Sequence, residues 1–461
     1  MRKLFGTDGI RGVAGEPPLD EQTAFVIGQA LGHHLLEKSA VPRVVIGQDT
    51  RESSEWIANA VARGLMTHGI AVESAGVLTT PGIAFLARAH GFAAGVVISA
   101  SHNPWQDNGI KVFGPDGYKL PDETELEIER EIFSHGESAQ AALDEAPALS
   151  RSTLPGNAQL RQSYLDWLVE NVAGEEMESI KLVADCAHGA ATPIAHEVFR
   201  RCGIDATFIC DQPDGRNINA NCGALHPEVV AAAVRAGNRE SALPRFALGV
   251  SFDGDADRAL FADSDGNVVN GDAILLLAAR SMQQHGTLSG NTVVATTMSN
   301  MGLEIALRAS GIRLLRAPVG DKYVLEEMHR SGATLGGEQS GHIIFRDGDA
   351  TTGDGLLTAL RVIAKVARSG CSLGELARDM KVFPQIIQNV RVREKKPLDQ
   401  VPQVAGAVAE AERILGSSGR LVVRYSGTES LARVMVEAED EEQVRQTANA
   451  VARAIQEALG Q

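Results

Sequence analysis

The sequence predicts an α/β protein made of three mixed α/β domains with parallel-rich sheets and a smaller C-terminal α+β domain. Short β-branched runs alternate with helix-like segments through most of the 461 residues, the pattern of strands joined by helical crossovers. After about residue 375 this alternation ends, and closely spaced strands precede one amphipathic helix. With 47 glycines and only 4% aromatic residues, the composition is typical of a soluble enzyme with many loops.

The first domain is predicted over residues 1–155. Apolar side chains recur every three or four positions from Glu21 to Lys38, which indicates a helix, and the run Val44–Gly47 follows as a strand. A second helix over Trp56–His68 leads to a strand at Ala71–Glu73. Strand and helix therefore alternate from the start of the chain.

The same alternation recurs twice and predicts a second domain over residues 156–258 and a third over 259–374. Residues 135–159 are rich in Ala, Ser, Glu and Pro and have little periodicity, which suits a linker. The fourth domain, residues 375–461, is predicted from two strands, Leu421–Tyr425 and Leu431–Glu437, an alternating segment at 389–393 and a helix over Val444–Leu459.

Charge and cysteine content exclude several classes of function. The chain has 43 basic and 59 acidic residues, and its net charge of −16 disfavours nucleic acid as a partner. The five cysteines are odd in number and form no CxxC pair, so neither a disulfide framework nor a zinc site is indicated. The N-terminus has no apolar signal core and no apolar run reaches ~18 residues. We therefore expect a cytoplasmic protein that has no membrane partner.

A candidate nucleophile follows the apolar run Val96–Ile98. The loop Ser99-Ala100-Ser101-His102-Asn103-Pro104 places a hydroxyl beside an imidazole, and Lys111 follows shortly after. These are the parts of an activated nucleophile, with Ser101 best placed to carry a covalent group. Ser, Asn and Pro also form ordinary turns, so this alternative stays open for the isolated motif.

A candidate metal site lies in Asp253-Gly254-Asp255-Ala256-Asp257-Arg258, between two apolar segments. Three carboxylates so close together repel one another unless a cation neutralises them. A hard divalent ion such as Mg²⁺, which prefers oxygen ligands, would do so. An EF-hand loop is excluded, because Arg258 and Ser264 stand where its glycine and glutamate would be. A solvated acidic turn is the alternative.

Three further loops combine glycine with polar side chains. Arg424-Tyr425-Ser426-Gly427-Thr428-Glu429, followed by Arg433, could wrap a phosphate, although a β-hairpin would explain its glycine equally well. Gly337-Glu338-Gln339-Ser340-Gly341-His342 could bind sugar hydroxyls, or be a plain glycine-rich turn, and Gly6–Gly12 could approach a phosphoryl group through Arg11. None has the spacing of a dinucleotide-binding loop.

Taken together and in this order, the five motifs resemble the α-D-phosphohexomutase superfamily. The resemblance implies four domains around a central cleft, with Ser101 as a phosphoserine. It implies that Asp253, Asp255 and Asp257 bind Mg²⁺ together with an oxygen of that phosphoserine. Catalytic residues around the reacting phosphoryl group would be Arg11, His102, Lys111 and His342. Substrate-binding residues would be Arg258, Lys322, Glu338, Ser340, Arg424, Ser426, Gly427, Thr428 and Arg433.

Within the superfamily, Gln339, Asn217-Ile218-Asn219 and Cys222-Gly223 resemble the branch that acts on amino sugars. That likeness implies an isomerase converting glucosamine 6-phosphate to glucosamine 1-phosphate, toward UDP-N-acetylglucosamine and peptidoglycan. Glucosamine 1,6-bisphosphate, or glucose 1,6-bisphosphate, would serve as intermediate or activator, and the enzyme would be a monomer or homodimer. Open alternatives are a phosphomannomutase/phosphoglucomutase, a metal-dependent phosphatase and a non-catalytic sugar-phosphate sensor.

Overall fold

The computed structural model describes residues 4–6, 8–135, 154–240, 245–348, 350–426 and 430–460, in which four β-sheets follow one another along the chain. The prediction of three mixed α/β domains and a smaller C-terminal α+β domain is confirmed. Most of the predicted linker over 135–159 lies outside the described residues. Among the helices described, none is both long and apolar enough to cross a membrane.

The first unit has a six-stranded sheet of order β1-β2-β6-β5-β3-β4. Its strands are β1 Phe5–Gly6, β2 Gly9–Val13, β3 Arg43–Gln48, β4 Ala71–Val77, β5 Ala94–Ile98 and β6 Asp107–Phe113. Its helices are α1 Glu21–Lys38, α2 Ser54–Met66, α3 Thr80–Ala89 and α4 Asp122–His135. Helix α1 has the predicted ends because Asp20 caps it, accepting a hydrogen bond from the backbone N–H of Thr23; α2 begins and ends two residues before its predicted bounds.

The second unit has a five-stranded sheet of order β11-β10-β9-β7-β8. Its strands are β7 Lys181–Asp185, β8 Asp205–Ile209, β9 Leu248–Phe252, β10 Ala259–Asp263 and β11 Val268–Val269. Its helices are α5 Ala158–Glu170, α6 Thr192–Arg201 and α7 Pro227–Glu240. The boundary predicted after residue 258 cuts this sheet, because β10 turns back to pair antiparallel with β9. Both strands are wholly buried, so their apolar pattern gave no sign of the hairpin.

The third unit has a four-stranded sheet of order β13-β12-β14-β15. Its strands are β12 Thr292–Thr296, β13 Arg313–Ala317, β14 Leu335–Gly337 and β15 Ile343–Phe345. Its helices are α8 Gly271–Gln284, α9 Met301–Ala309, α10 Asp321–Ser331, α11 Gly355–Ser369 and α12 Leu373–Ala377. The boundary predicted after residue 374 falls inside α12, whose Leu373 packs in the same core as Leu357 and Leu360 of α11.

The fourth unit is an antiparallel sheet of order β16-β18-β17 with two helices. Its elements are β16 Gln385–Arg391, α13 Pro402–Leu415, β17 Gly419–Tyr425, β18 Leu431–Ala438 and α14 Glu441–Leu459. The two strands predicted to pair do so, and the predicted C-terminal helix is present. This unit has its own apolar core, centred on Val434 and Val451.

The first three sheets are all mixed, and the third, with two parallel pairs and one antiparallel pair, is parallel-rich as predicted. Each has two parallel strand pairs, but antiparallel pairs outnumber them in the first sheet and equal them in the second. One apolar core joins parts of all three units, from Val97 of β5 through Phe252 of β9 to Leu335 of β14. This shared core fixes the relative positions of the loops that follow these three strands. The three loops border a common region, and in other α/β proteins such a region at the carboxyl ends of strands is where ligands bind.

Candidate active site

Ser101 lies on the loop between β5 and β6 and is almost wholly buried. Its backbone is left-handed, with φ of 52°, which is uncommon for a residue with a side chain. Its hydroxyl donates to Oδ2 of Asp253 at 2.7 Å, and Nδ1 of His102 lies 3.3 Å from the same Oγ. The hydroxyl of Ser101, the predicted nucleophile, thus contacts the predicted metal loop, although Ser101 precedes Asp253 by 152 positions in the chain.

Two side chains from different units hold the Ser101 loop through the same two carbonyls. Nη2 of Arg51, from the first unit, donates to the carbonyls of Ser101 and Asn103 at 3.2 and 2.6 Å. Nδ2 of Asn219, from the second unit, donates to the same two carbonyls at 2.9 and 3.1 Å. Arg51 is in turn paired with the buried Asp49. These contacts hold the loop in its left-handed conformation.

Asp253, Asp255 and Asp257 follow β9 and are buried, with one oxygen of each within 4.8 Å of the others. Burial, together with the charges of Asp257 and Asp255, raises the pKa of Asp253 well above its usual range. Oδ1 of Asp255 and Oδ1 of Asp257 are buried without a hydrogen-bond partner among the described residues. Such orphaned oxygens fit a hard divalent cation, which would hold all three carboxylates ionised.

Lys111 on β6 lies against this triad. Its Nζ is 2.9 Å from Oδ2 of Asp255 and 2.9 Å from Oδ2 of Asp8. Burial alone would lower the pKa of Lys111, but Asp255 and Asp8 outweigh burial and raise it, so the ammonium is charged. Asp8 also accepts from Lys119 at 2.6 Å, and Lys119 reaches Asp321 of the third unit at 2.6 Å. This chain of alternating charges joins the first and third units beside the metal loop.

A cavity of about 640 Å³ opens next to Ser101 and contains most of the predicted catalytic groups. Among the predicted site residues, those that line it are Arg11, His102, Asp257, Arg258, Glu338 and His342. Asp8, Gly320 and Asp321 also line it. Cations and carboxylates thus surround a space large enough for a sugar phosphate.

The two histidines of the cavity differ in environment. Burial, with the charges of Arg258 and Arg11, lowers the pKa of His102 to about 4, so its ring is neutral at neutral pH. Burial acts in the same direction on His342, but Asp257, 3.6 Å from its Nδ1, outweighs it and raises the pKa to about 9. The backbone N–H of Gly353 lies 3.1 Å from Nε2 of His342, which can accept it only in the neutral ring that carries its proton on Nδ1, toward Asp257. This contact therefore opposes the second ring proton that Asp257 favours.

The predicted sugar loop is placed at the cavity only in part. Glu338 lines the cavity and its Oε1 accepts from the Gly320 backbone N–H at 3.2 Å. Ser340, two residues further on the same loop, is half-buried and is not among the lining residues. Lys322 pairs with Asp122 and lines a separate cavity of about 180 Å³.

The predicted phosphate loop of the fourth unit stands apart from the cavity. Arg424 and Arg433 face each other across β17 and β18, and burial, with the charge of Arg433, lowers the pKa of Arg424. Ser426 is buried, while Gly427 and Thr428 lie outside the described residues. None of the cavity-lining residues described comes from this unit.

The sequence motifs did not point to several of the groups that build this site. Arg51, Asn219, Lys119 and Asp321 act through contacts with residues tens to hundreds of positions away. Thr80 is similar, since its hydroxyl donates to Oδ2 of Asp255 at 2.5 Å across 175 positions. Of these residues, only Asn219 lay in a segment singled out from the sequence, Asn217-Ile218-Asn219, and there as a likeness to the amino-sugar branch rather than as a support for Ser101.

Comparison with family models covers most of the chain. Four domain models described as phosphoglucomutase/phosphomannomutase match in order: α/β/α domain I over residues 2–139, domain II over 162–266, domain III over 270–383 and the C-terminal domain over 388–454.

Relatives of the same length are also found. The chain is 62% identical to the phosphoglucosamine mutase of Koribacter versatilis, with 100% of this chain and 98% of the relative covered. It is 51% identical to that of Solibacter usitatus, with both chains covered completely.

Solved structures share the fold at lower identity. A phosphoglucomutase/phosphomannomutase family protein from Burkholderia thailandensis superposes with a TM-score of 0.78 at 23% identity, covering 99% of this chain and 98% of its own. The N-acetylphosphoglucosamine mutase of Aspergillus fumigatus, in complex with GlcNAc-6P and magnesium, has a TM-score of 0.66 at 20% identity, covering 99% and 96%.

Proposed function

The chain belongs to the phosphoglucomutase/phosphomannomutase family and is a phosphohexomutase, an isomerase; on that premise we propose that it interconverts glucosamine 6-phosphate and glucosamine 1-phosphate. The observation that carries the proposal is the hydroxyl of Ser101, held 2.7 Å from Asp253 in a buried acidic triad. The choice of amino sugar is supported by full-length relatives named phosphoglucosamine mutase at 62% and 51% identity.

The proposed metal is Mg²⁺, held by Asp253, Asp255, Asp257 and the phosphorylated Ser101. When bound, it would neutralise charge on the transferring phosphoryl group. The carboxylates tolerate a phosphoserine, which carries a charge of ~−1.5 to −2, only with a cation among them. Arg258 adds fixed positive charge on the cavity side, where the transferring oxygens would lie, and the buried Lys111 adds another positive charge beside Asp255.

In the proposed reaction, phosphoserine 101 transfers its phosphoryl group to the 1-hydroxyl of glucosamine 6-phosphate. The serine oxygen is the leaving group, and the proton of the sugar hydroxyl passes to a group in the cavity. The resulting 1,6-bisphosphate turns over, and Ser101 regains a phosphoryl group from position 6, releasing glucosamine 1-phosphate. The second substrate phosphate would be held by Arg424, Ser426, Gly427, Thr428 and Arg433, after a rotation of the fourth unit toward the cavity that excludes water.

The sugar itself would be held by Glu338 and Ser340, whose oxygens can accept or exchange hydrogen bonds with hydroxyl and amino groups. A carboxylate is suited to the charged 2-amino group that distinguishes glucosamine from glucose and mannose.

The test combines mass spectrometry with turnover assays on three sugars. Peptide mass spectrometry should find one phosphate on Ser101, and Ser101→Ala should lose nearly all mutase activity while staying folded. Ser369→Ala, at the end of α11, is the matched control and should keep full activity. Faster turnover of mannose or glucose phosphates than of glucosamine phosphate would contradict the amino-sugar assignment, and stoichiometric release of inorganic phosphate would show a phosphatase instead.

A further inference from the structure

A second cluster of metal-ligating side chains lies behind the active site in the second unit. His188 follows β7, Cys210 follows β8, and Cys222 precedes Gly223 on the loop that packs against β9. One ring nitrogen of His188 and the two sulfurs all lie within 4.8 Å of one another. Cys222 is buried, and the other two are half-buried. The cluster escapes sequence motifs because its members come from three separate loops.

The immediate surroundings of the cluster favour positive charge. Burial and the nearby carboxylate of Asp185 raise the pKa of the Cys210 thiol to about 11, and the same two causes raise the pKa of the Cys222 thiol. Asp185 is buried at the end of β7 and accepts from the backbone N–H groups of Ala187 and Gly223, each at 2.9 Å. Two thiols and one imidazole within 4.8 Å of one another, with a buried carboxylate nearby, resemble the donor set that thiophilic cations select.

We propose that His188, Cys210 and Cys222 form a binding site for a thiophilic divalent cation of the Zn²⁺ class, distinct from the Mg²⁺ site of the Asp triad. Two sulfurs and one imidazole supply three ligands of a tetrahedral cation and leave the fourth position for water. With Zn–S bonds of about 2.3 Å, the ligand atoms around a tetrahedral cation are roughly 3.5 Å apart. The three ligand atoms of this cluster lie within 4.8 Å of one another, so side-chain movement alone would bring them to bonding distance of one cation.

Binding replaces the two thiol protons, which pass to solvent, because the thiolate is the metal ligand. It also competes for His188, whose Nδ1 accepts from the backbone N–H of Gln212 at 3.2 Å. Gln212 is exposed, so water can take over that hydrogen bond.

The site is connected to the catalytic loops through the backbone. The carbonyl of His188 accepts from the hydroxyl of Thr50 at 2.6 Å, and the Ala190 N–H donates to the Gly254 carbonyl of the metal loop at 2.8 Å. Asn219, which holds the Ser101 loop, donates its own N–H to the Ala187 carbonyl at 2.9 Å. A cation that draws Cys210 and Cys222 toward His188 therefore also restrains the backbone segments that position Asn219 and the metal loop beside Ser101.

Cobalt absorption tests the site directly on the full-length protein. Co²⁺ is titrated into reduced protein with excess Mg²⁺ present, so that the Asp triad is occupied by the harder ion. We expect a sulfur-to-cobalt charge-transfer band that saturates at one Co²⁺ per chain and is displaced by Zn²⁺. Carboxylate sites give no such band, so binding at the Asp triad cannot imitate this result.

Cys210→Ser and Cys222→Ser should each weaken or abolish the band, whereas the matched control Cys202→Ser, a half-buried cysteine outside the cluster, should leave it unchanged. His188→Gln, which keeps both thiols, should weaken cobalt binding at least about tenfold, because loss of even an outer partner of a metal ligand typically costs that much. Absence of a thiolate band in the wild-type protein, or a band of unchanged intensity and affinity in both Cys210→Ser and Cys222→Ser, would overturn the proposal. If a serine variant fails to fold, the His188→Gln titration decides alone.

Discussion

Removing the side chain of Asn219 should slow phosphoryl transfer without unfolding the protein. Its amide donates two hydrogen bonds, of 2.9 and 3.1 Å, to the carbonyls of Ser101 and Asn103. Asn219 has φ of 58°, so Asn219→Gly removes the amide while keeping a residue that adopts this conformation easily. Asn219→Ala removes the same amide but also strains the backbone at this positive φ. Comparing it with Asn219→Gly separates the effect of the lost hydrogen bonds from the effect of the strain.

The size of the effect follows from the contacts. Two buried hydrogen bonds contribute about 1–3 kcal/mol together, and Arg51 still donates to both carbonyls. If the Ser101 loop loses that much restraint in the transition state, kcat should fall between roughly fivefold and 100-fold, since 1.4 kcal/mol corresponds to about tenfold. The KM for the sugar phosphate should change much less, because Asn219 is not among the residues that line the cavity.

The assay is steady-state turnover of glucosamine 6-phosphate with thermal unfolding measured in parallel. Asn221→Gly is the matched control, since Asn221 has φ of 54° on the same loop and is exposed; it should keep wild-type kcat. Wild-type kcat in Asn219→Gly, or an equal loss of kcat in both variants, would refute the argument that this amide positions the nucleophile.

Three further predictions concern metal binding, pH and the attachment of the fourth unit. Asp255→Asn should lower turnover and raise the Mg²⁺ concentration for half-maximal activity by roughly tenfold, since ligand charge tunes affinity; an unchanged titration would indicate an acidic turn. Burial raises the pKa of Asp354 from 3.8 to about 6, so the folded state binds this proton more tightly and stability falls as pH rises from about 4 to 6. In urea unfolding at pH 8, the free energy of unfolding of Asp354→Asn should therefore exceed that of the wild type by about 2 kcal/mol, after allowance for the lost charge at the N-cap of α11. At pH 4 the two free energies should be nearly equal. The same difference at both pH values would contradict this prediction. Glu437 is buried and accepts a hydrogen bond from Arg420 at 2.8 Å, so Glu437→Gln should destabilise the fourth unit by about 1.5–3 kcal/mol. The control Glu439→Gln, which breaks an exposed ion pair, should have little effect. Equal thermal midpoints for the two variants would contradict the role of burial.

Much of the fold and part of the site could be predicted because their causes are local. Helix α1 was predicted with its observed ends, since Asp20 caps it and its apolar period continues to Lys38. Ser101 and the three aspartates could be proposed as site residues, because each of their loops directly follows a strand whose residues are all buried. The predicted boundary after residue 258 falls inside the second sheet and the one after 374 falls inside α12, because the apolar core that contains Phe252, Phe261 and Leu373 continues past both positions.

The predicted phosphate loop shows a different limit. The residue types at Arg424 and Ser426 favoured anion binding, and the strands around them were correct. Their distance from the cavity depends on how the fourth unit sits on the third. That placement comes from a few buried polar contacts, such as Glu437 accepting from the Met301 backbone N–H at 2.8 Å, which no local pattern encodes.

The sequence by itself determined which side chains are candidates for the chemistry and which loops present them, because strand, turn and residue type are short-range properties. Only the tertiary structure decided which distant groups support those loops. Asn219 meets Ser101 across 118 positions and Lys111 meets Asp255 across 144, and His188, Cys210 and Cys222 come together from three loops. Such contacts arise when separate elements pack on a common core, and this packing depends on the whole chain rather than on any segment.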